Sequence, residues 1–326
     1  MIYQALVTEE TNGQFISSIR QLNTDDLPLG DLLVKVEYSS LNYKDALSAG
    51  GNKGVTKQYP HTPGIDAAGT IVESDSTAFD VGEKVIVTGF DLGMNTPGGF
   101  GEYIRVPAQW AVKLPERLSL RESMIYGTAG FTAGISVLKL SQQIKPSDGK
   151  IIVSGATGGV GSVAIAILNK LGYDVVAVSG KENEQDFLKS LGASTIISRN
   201  AFLCSDDKAM FPAMYAGAID TVGGEILVRI IKSIQPLGVV TTCGSVASTT
   251  LNLNVFPFIL RAVSLLGVSA QNYPADKRPE LWHLLAELWK PEMLDALSNE
   301  IGMAELPEKI NQIQKGELKG RTLVRI

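Results

Sequence analysis

The sequence predicts an α/β protein in which a β-rich part accompanies a doubly wound parallel sheet. Two regions of the sequence with different residue patterns support this fold class. Up to about residue 120, short alternating apolar runs are separated by Gly, Pro and Asp, which is typical of a mostly β domain. From residue 122, strand-like runs alternate with helical stretches, which is typical of a parallel sheet. The chain has 326 residues, 44% of them hydrophobic, so two domains are expected.

The first predicted domain covers residues 1–122. Its strands are predicted at residues 32–36, 67–72 and 84–87, where apolar residues recur between turn signals. Beyond residue 270 a helix is predicted over residues 279–289, and the last segment, 320–326, has the pattern of a strand. A strand at this place predicts that residues 271–326 return to the first domain.

The second predicted domain covers residues 123–270 and begins with a helical stretch over residues 126–140. Its strands are predicted at residues 151–153, 175–178, 195–197, 218–220, 239–242 and 265–268. Because helical segments lie between these runs, the strands are expected to be parallel and to form a doubly wound sheet.

The segment KIIVSGATGGVG, from Lys150 to Gly161, is an apolar run broken by glycines and followed by a helical pattern. Counted from Ala156, it contains the second and third glycines of the dinucleotide-binding fingerprint, Gly158 and Gly161, while the first is alanine. Glycines also serve any sharp strand-to-helix corner. The helix that follows and the next strand complete a βαβ unit, which favours a dinucleotide cofactor whose pyrophosphate meets free amides at the helix N-terminus. The residues predicted to bind it are Ala156, Thr157, Gly158, Gly159 and Val160.

The end of the second strand predicts which dinucleotide is bound. A preference for NAD usually requires Asp or Glu there, but the chain has Ser179, Gly180 and Lys181. A hydroxyl, an open backbone and a cation suit a 2'-phosphate, and Arg199 after the third strand supplies a second cation. The sequence therefore predicts NADPH. The alternative is that Lys181 is a solvated lysine and Ser179 a turn residue.

Charge and residue counts exclude several classes of protein. The net charge is −5 without a long run of one sign, which predicts neither nucleic-acid nor membrane partners but a small-molecule substrate. The N-terminus has no pattern of a signal peptide, so a cytoplasmic location is expected. Two cysteines, Cys204 and Cys243, and two histidines, His61 and His283, are too few for a disulfide framework and predict no bound metal. His61 is expected to pack a proline-rich loop.

Seven segments, taken together and in order, resemble the zinc-free medium-chain dehydrogenase/reductases. Within that family they are most similar to the quinone oxidoreductase-like branch of NADPH-dependent acryloyl-CoA reductases. The segments are residues 40–46, 63–69, 98–103, 127–133, 156–161, 179–181 and 320–324. The resemblance implies a GroES-like β-rich catalytic domain, a Rossmann domain for NADP and a homodimer. One departure is Lys181, which stands where members of the branch commonly have arginine.

The resemblance also implies the positions of further site residues. Thr128 and Thr132 are expected beside the nicotinamide, and the cofactor is expected to be lined by Ser245, Ile259 and Ser269. Asn42 stands where zinc alcohol dehydrogenases have their first cysteine ligand, in agreement with the absence of metal ligands.

Without zinc, a hydride acceptor already activated by conjugation is the easier substrate. An α,β-unsaturated thioester such as acryloyl-CoA is expected, with a quinone as the alternative. Tyr43 is predicted as proton donor or orienting hydroxyl next to the cofactor, and Asn42 as a supporting hydrogen-bond donor. Tyr43 as a half-buried packing residue remains open, and Lys44 and Asp45 are expected to form a solvated pair. A cofactor-binding protein without catalysis is a third possibility.

Overall fold

The computed structural model describes residues 1–203 and 208–326, so Cys204 lies outside the described residues. The strands are β1 (Ile2–Thr11), β2 (Gln14–Asn23), β3 (Leu32–Leu41), β4 (Asp66–Ser74), β5 (Lys84–Thr88), β6 (Tyr103–Val106), β7 (Ala111–Lys113), β8 (Ile151–Ser154), β9 (Val175–Ser179), β10 (Ala193–Ser198), β11 (Tyr215–Asp220), β12 (Ile234–Thr242), β13 (Ser264–Gly267), β14 (Ser298–Gly302) and β15 (Arg321–Arg325). The helices are α1 (Tyr43–Ala49), α2 (Leu120–Ser141), α3 (Gly159–Lys170), α4 (Gln185–Ser190), α5 (Arg199–Phe202), α6 (Gly224–Lys232), α7 (Phe256–Arg261), α8 (Arg278–Ala286) and α9 (Leu306–Gln314).

The chain divides into two compact units. The β-rich unit consists of Met1–Thr128, Ala270–Glu287 and Leu294–Ile326, and the parallel-sheet unit consists of Ala129–Ser269 and Leu288–Met293. The domain boundaries that the sequence predicts, after residues 122 and 270, stay a prediction.

The β-rich unit is built on a sheet with the strand order β14-β15-β3-β4-β5-β7, and β6 also pairs with β3. Its neighbouring strands are antiparallel except for the pair β14 and β15, while β1 and β2 form a separate hairpin. In β3, Leu32 and Val34 are buried while Lys35 is exposed, as a half-buried strand requires. The predicted β-rich part of the fold is confirmed. Its last strand, β15, pairs with β3.

The parallel-sheet unit contains a sheet with the strand order β10-β9-β8-β11-β12-β13, in which all neighbours are parallel. Numbered within the unit, this is the order 3-2-1-4-5-6 of the Rossmann fold. The six predicted strands are all present, with the last shifted to Ser264–Gly267. Because the strands are parallel, their carboxyl ends share one edge of the sheet, and the order reverses between β8 and β11.

Two predicted helices differ from the observed ones. α2 begins at Leu120, earlier than predicted, and is interrupted at Gly127, which has φ 50° and ψ −156°. α8 ends at Ala286 rather than at residue 289, since the next residue, Glu287, has the non-helical angles φ −113° and ψ −101°. Within residues 1–203 and 208–326, no helix combines the length and the apolar character needed to cross a membrane.

Arg278 fixes the segment that enters the β-rich unit at residue 270. Its guanidinium is buried and donates to the carbonyl oxygens of Thr88 at 2.8 Å, Ala270 at 2.7 Å and Gln271 at 3.2 Å. It also lies over the ring of Phe90, 4.2 Å from the centroid. Burial lowers the pKa of Arg278 to about 10, so the side chain stays charged at neutral pH. The start of this segment is therefore held against the end of β5.

Candidate active site and cofactor site

The glycine-rich turn after β8 has the backbone of a tight turn at Gly155. Gly155 has φ +59°, and a Cβ there would lie 2.2 Å from Oγ1 of Thr221. The amide of Gly158 donates to the carbonyl of Gly155 at 2.9 Å. The residue whose positive φ makes the turn is thus Gly155, directly before Ala156, from which the fingerprint spacing is counted.

Helix α3 starts directly against this turn. A Cβ on Gly161 would lie 2.4 Å from the carbonyl oxygen of Gly155, so only glycine lets the helix approach so closely. The first amides of the helix, from Gly159 to Gly161, have no carbonyl one turn earlier within the helix to bind. Such amides fit a pyrophosphate. The structure thus brings together the predicted residues Ala156, Thr157, Gly158, Gly159 and Val160 in one turn and helix start.

A buried carboxylate supports the strand ends beside this turn. Asp220, the last residue of β11, accepts hydrogen bonds from Oγ of Ser154 at 2.6 Å and from Oγ1 of Thr242 at 3.1 Å. It also accepts from the amide of Gly223 at 3.0 Å. Burial raises the pKa of Asp220, while these hydrogen bonds oppose the change. Asp220 therefore ties together the carboxyl ends of β8, β11 and β12, where the strand order reverses.

The end of β9 brings three of the predicted phosphate-binding residues into one turn. Oγ of Ser179 is buried and accepts from the amide of Lys181 at 3.0 Å. A Cβ on Gly180 would lie 2.6 Å from Nη2 of Arg199, so the guanidinium lies directly against this glycine. Arg199 is exposed, and in the described part of the chain no carboxylate pairs with it. A guanidinium beside an open backbone fits an anionic group.

The other predicted cofactor contacts follow strands at the same edge of the sheet. Ser245 comes after β12 and Ser269 after β13, and both are exposed. Ile259 is 66% exposed on α7, between these two strands. Thr132 is buried in α2, where its carbonyl accepts from Oγ of Ser136 at 2.9 Å. The exposed residues are open to a ligand, and the role of all four stays a prediction.

In the β-rich unit, the buried carboxylate of Asp66 organises a second cluster. Oδ2 of Asp66 accepts from Oγ of Ser40 at 2.6 Å and from Nδ2 of Asn42 at 2.7 Å. Nη2 of Arg321 donates to the same Ser40 oxygen at 2.7 Å and lies 3.9 Å from Oδ2 of Asp66. Both charged groups are almost fully buried, which would be costly for either alone.

The interruption of α2 at Gly127 turns Thr128 onto the same carboxylate. The amide of Thr128 donates to both oxygens of Asp66 at 2.9 Å, and Oγ1 of Thr128 donates to Oδ1 at 2.6 Å. A Cβ on Gly127 would lie 2.3 Å from Oγ of Ser40 and 2.5 Å from Oδ2 of Asp66. Glycine is therefore required at residue 127 both by its positive φ and by the space.

A second buried carboxylate, Asp45, anchors the start of α1. Its oxygens accept from the amide of Asn42 at 2.7 Å and from the amide of Ile65 at 2.8 Å. Burial raises the pKa of Asp45 to about 7, and the charge of Asp66 adds to this, while the hydrogen bonds oppose it. The expected solvated pair of Lys44 and Asp45 is therefore wrong, because Asp45 points into the core and Nζ of Lys44 instead donates to Oε1 of Gln271 at 2.7 Å.

The two residues predicted to act in catalysis are neighbours at the start of α1 but differ in environment. Asn42 is buried, and its amide nitrogen donates to Asp66 and, at 3.2 Å, to the carbonyl of Ser40. Tyr43 is 43% exposed, which fits both its predicted place beside the cofactor and the alternative of a half-buried packing residue. Sequence patterns did not identify three further site residues, Asp66, Arg321 and Asp45. Each lies in a segment that resembles the medium-chain dehydrogenase/reductases. Their sequence signal is a charged residue within an otherwise apolar strand or helix face.

Comparison with known proteins agrees with this architecture. The alcohol dehydrogenase GroES-like domain family matches residues 28–116, and the zinc-binding dehydrogenase family matches residues 159–287. The chain is 42% identical to the putative quinone oxidoreductase YhfP of Bacillus subtilis, over 100% of this chain and 99% of that protein. It is 41% identical to the probable acrylyl-CoA reductase AcuI of Escherichia coli, over 99% of both.

Solved structures show the same relationship. The YhdH oxidoreductase of Salmonella enterica in complex with NADP has a TM-score of 0.96 at 42% identity, covering 99% of both chains. YhfP of Bacillus subtilis with NAD bound has a TM-score of 0.97 at 40% identity, covering 100% of both chains. A GroES-like part together with a Rossmann sheet defines a class of nicotinamide-dependent dehydrogenases and reductases. The chain belongs to the medium-chain dehydrogenase/reductase family, among relatives named quinone oxidoreductase and acrylyl-CoA reductase.

One of the matching families is described as zinc-binding, but the residues around Asp66 do not suit a zinc ion. The carboxylate is surrounded by hydrogen-bond donors, the amide of Asn42 and the hydroxyl of Ser40, with the guanidinium of Arg321 nearby. No histidine or cysteine supplies the nitrogen or sulfur that zinc prefers there. His61 is buried beside the ring of Tyr59 in its loop. Across residues 1–203 and 208–326, no group of three or more His, Cys, Asp or Glu side chains could hold a metal ion.

The raised pKa of Asp45 predicts a pH dependence of stability. The folded protein keeps the proton on Asp45 up to about pH 7, whereas the unfolded chain releases it near 3.8. The stabilisation is thus full below the lower value and is lost as the pH rises towards 7. Urea unfolding of the wild type and of Asp45→Asn at several pH values between 5 and 7 measures this, because the variant lacks the titration. The wild type should lose up to about 1 kcal/mol per pH unit more than the variant. Equal slopes would contradict the prediction.

Proposed function

We propose that this protein is an NADPH-dependent reductase that adds hydride to an activated carbon–carbon double bond, with acryloyl-CoA or a similarly short enoyl-CoA thioester as substrate. The observation that carries the proposal is the full-length similarity to the acrylyl-CoA reductases of Escherichia coli and Ruegeria pomeroyi, at 41% and 38% identity. The Asp66 cluster supports it, because its donor set does not suit a metal and therefore favours an acceptor already polarised by conjugation.

NADPH is the proposed cofactor, with the phosphate recognised at the end of β9. Arg199 lies against Gly180 and, among the described residues, has no acidic partner, as recognition of a 2'-phosphate requires. No Asp or Glu stands at residues 179–181 to repel it. When bound, NADPH supplies the hydride. We further propose that Tyr43, Thr128, Thr132, Ser245, Ile259 and Ser269 contact it.

The residues of the β-rich unit would handle the charge and the proton of the reaction. Reduction of an enoyl thioester at its β-carbon builds negative charge on the thioester oxygen and requires a proton at the α-carbon. The hydroxyl of Tyr43, a residue that is 43% exposed, is the proposed proton donor or orienting group. Both amide hydrogens of Asn42 are engaged with Asp66 and Ser40, so its proposed role is to position Tyr43 at the start of α1.

The second candidate function is an NADPH:quinone oxidoreductase. It is favoured by the similarity to YhfP, a putative quinone oxidoreductase. A cofactor-binding protein without catalysis would bind NADPH and reduce neither substrate. A cytoplasmic location and a homodimer, the usual assembly that the family resemblance implies, are also part of the proposal.

Replacing Arg199 by alanine should raise the KM for NADPH by about tenfold or more, because a charge-assisted contact to the phosphate is lost. The KM for NADH should hardly change, since NADH has no phosphate at this position. Steady-state kinetics with both cofactors measures the effect, and Lys189→Ala, an exposed cation on α4, is the matched control. An equal loss with NADH and NADPH would contradict the assignment of Arg199.

Oxidation of NADPH should be faster with acryloyl-CoA than with a longer enoyl-CoA or a naphthoquinone. Tyr43→Phe should then slow the reduction of acryloyl-CoA by about a hundredfold, as expected for loss of a general acid. Binding of NADPH, followed by its fluorescence, should be almost unchanged. Tyr38→Phe, which removes a hydroxyl from β3, is the control. A strong rate with the quinone and none with thioesters would reverse the order of the two functions.

A further inference from the structure

The ammonium group of Lys44 is partly buried and has an incomplete set of partners. Nζ donates to Oε1 of Gln271 at 2.7 Å and lies 3.9 Å from Sδ of Met94. In the described part of the chain no carboxylate lies within ion-pair distance of it. Its partners are therefore one neutral amide oxygen and one thioether, although an ammonium carries three hydrogens to donate.

Lys44 follows Tyr43 in α1 and is its neighbour around the helix axis, because successive residues of a helix are rotated by about 100°. Asn42 and Asp45 are buried towards the Asp66 cluster. Tyr43 and Lys44 do not belong to the cluster, and Tyr43 is the more exposed of the two.

Gln271 is itself held firmly, so the position of the ammonium is defined. Nη2 of Arg278 donates to the backbone carbonyl of Gln271 at 3.2 Å and to that of Ala270 at 2.7 Å. The Cα of Gln271 lies 3.2 Å from where a Cβ on Gly89 would be. This segment thus has little freedom, and the hydrogen bond to Gln271 fixes Nζ of Lys44 without neutralising it.

We propose that Lys44 is a catalytic residue whose ammonium group donates a hydrogen bond to the thioester oxygen of the substrate as negative charge develops there. The inference rests on the proposed function. A partly desolvated cation with no carboxylate of the described residues in ion-pair distance favours an anionic ligand, because a charge in such a place gains most from a partner. Burial lowers the pKa of Lys44 and the charge of Asp45 opposes this, as expected for an ammonium that is partly desolvated. Gln271 is the residue that positions it.

The electron balance of the step needs no further reactant. The β-carbon gains the hydride, the electron pair of the double bond moves towards the thioester carbonyl, and the oxygen becomes an enolate oxygen that Lys44 stabilises without giving up its proton. The α-carbon then takes a proton, from Tyr43 or from water that Tyr43 orients, and the carbonyl is restored. The substrate is reduced to the saturated thioester, and NADPH is oxidised to NADP⁺.

Lys44→Met keeps an unbranched side chain that is one atom shorter and removes the charge. We expect kcat with acryloyl-CoA to fall by about a hundredfold, as for loss of one oxyanion donor, and the Kd of NADPH to stay within error of the wild type. Lys44→Arg should recover part of the rate because the charge returns with a different shape. Lys84→Met, an exposed lysine at the start of β5, is the control and should behave as the wild type.

Gln271→Glu tests the same idea while the lysine is kept. A carboxylate at this place would pair with Nζ and compete with the substrate oxygen, so kcat should fall. In the Lys44→Met background the same change should have little further effect. This variant decides the matter if Lys44→Met fails to fold, which thermal unfolding will show.

The outcomes separate the inference from the proposed function. If the wild type reduces acryloyl-CoA while Lys44→Met is fully active, or raises only the KM, the role of Lys44 is overturned and the proposed function stands. A fall in kcat with intact NADPH binding and partial recovery by arginine supports the role. If the wild type reduces neither acryloyl-CoA nor the quinone, both proposals are overturned.

Discussion

The buried carboxylate of Asp66 is the interaction on which the β-rich unit's site depends. It gathers Ser40 and Asn42 from one side of the sheet and Thr128 from the interrupted helix α2, with Arg321 of β15 close by. Each group alone would be an unpaired polar or charged group in the core, and together they satisfy one another. The start of α1 is fixed as a result, and with it the side of the helix that carries the proposed reactive groups.

Asp220 has a comparable role in the parallel-sheet unit. There a buried carboxylate ties neighbouring strand ends, and glycines at residues 155 and 161 allow the backbone to pass where any side chain would collide. The amides of α3 and the guanidinium of Arg199 stay available for an anionic ligand as a consequence. In each unit, a buried carboxylate holds in place the backbone segments that carry the proposed ligand-binding groups.

The sequence was most informative where the decisive residues are adjacent in the chain. The glycine turn, the strands of the Rossmann sheet and the segment at residues 179–181 follow from local patterns, and the structure confirms the fold they predict. The Asp66 cluster could not be predicted in this way, because β3, β4, α2, β15 and the residue that precedes α1 contribute to it, and no local periodicity links them. For the same reason Lys44 and Asp45 were assigned to solvent, since a short helix gives no sign of which side faces the core.

Hydride transfer from NADPH to the β-carbon is tested most directly with NADPH that carries deuterium at both C4 positions. This cofactor is allowed to reduce acryloyl-CoA in ordinary water, and the deuterium is located in the product. Mass spectrometry and NMR of the propionyl-CoA formed would locate it. We expect one deuterium at the β-carbon and only solvent hydrogen newly added at the α-carbon. Deuterium at the α-carbon, or a saturated product without deuterium, would contradict this expectation.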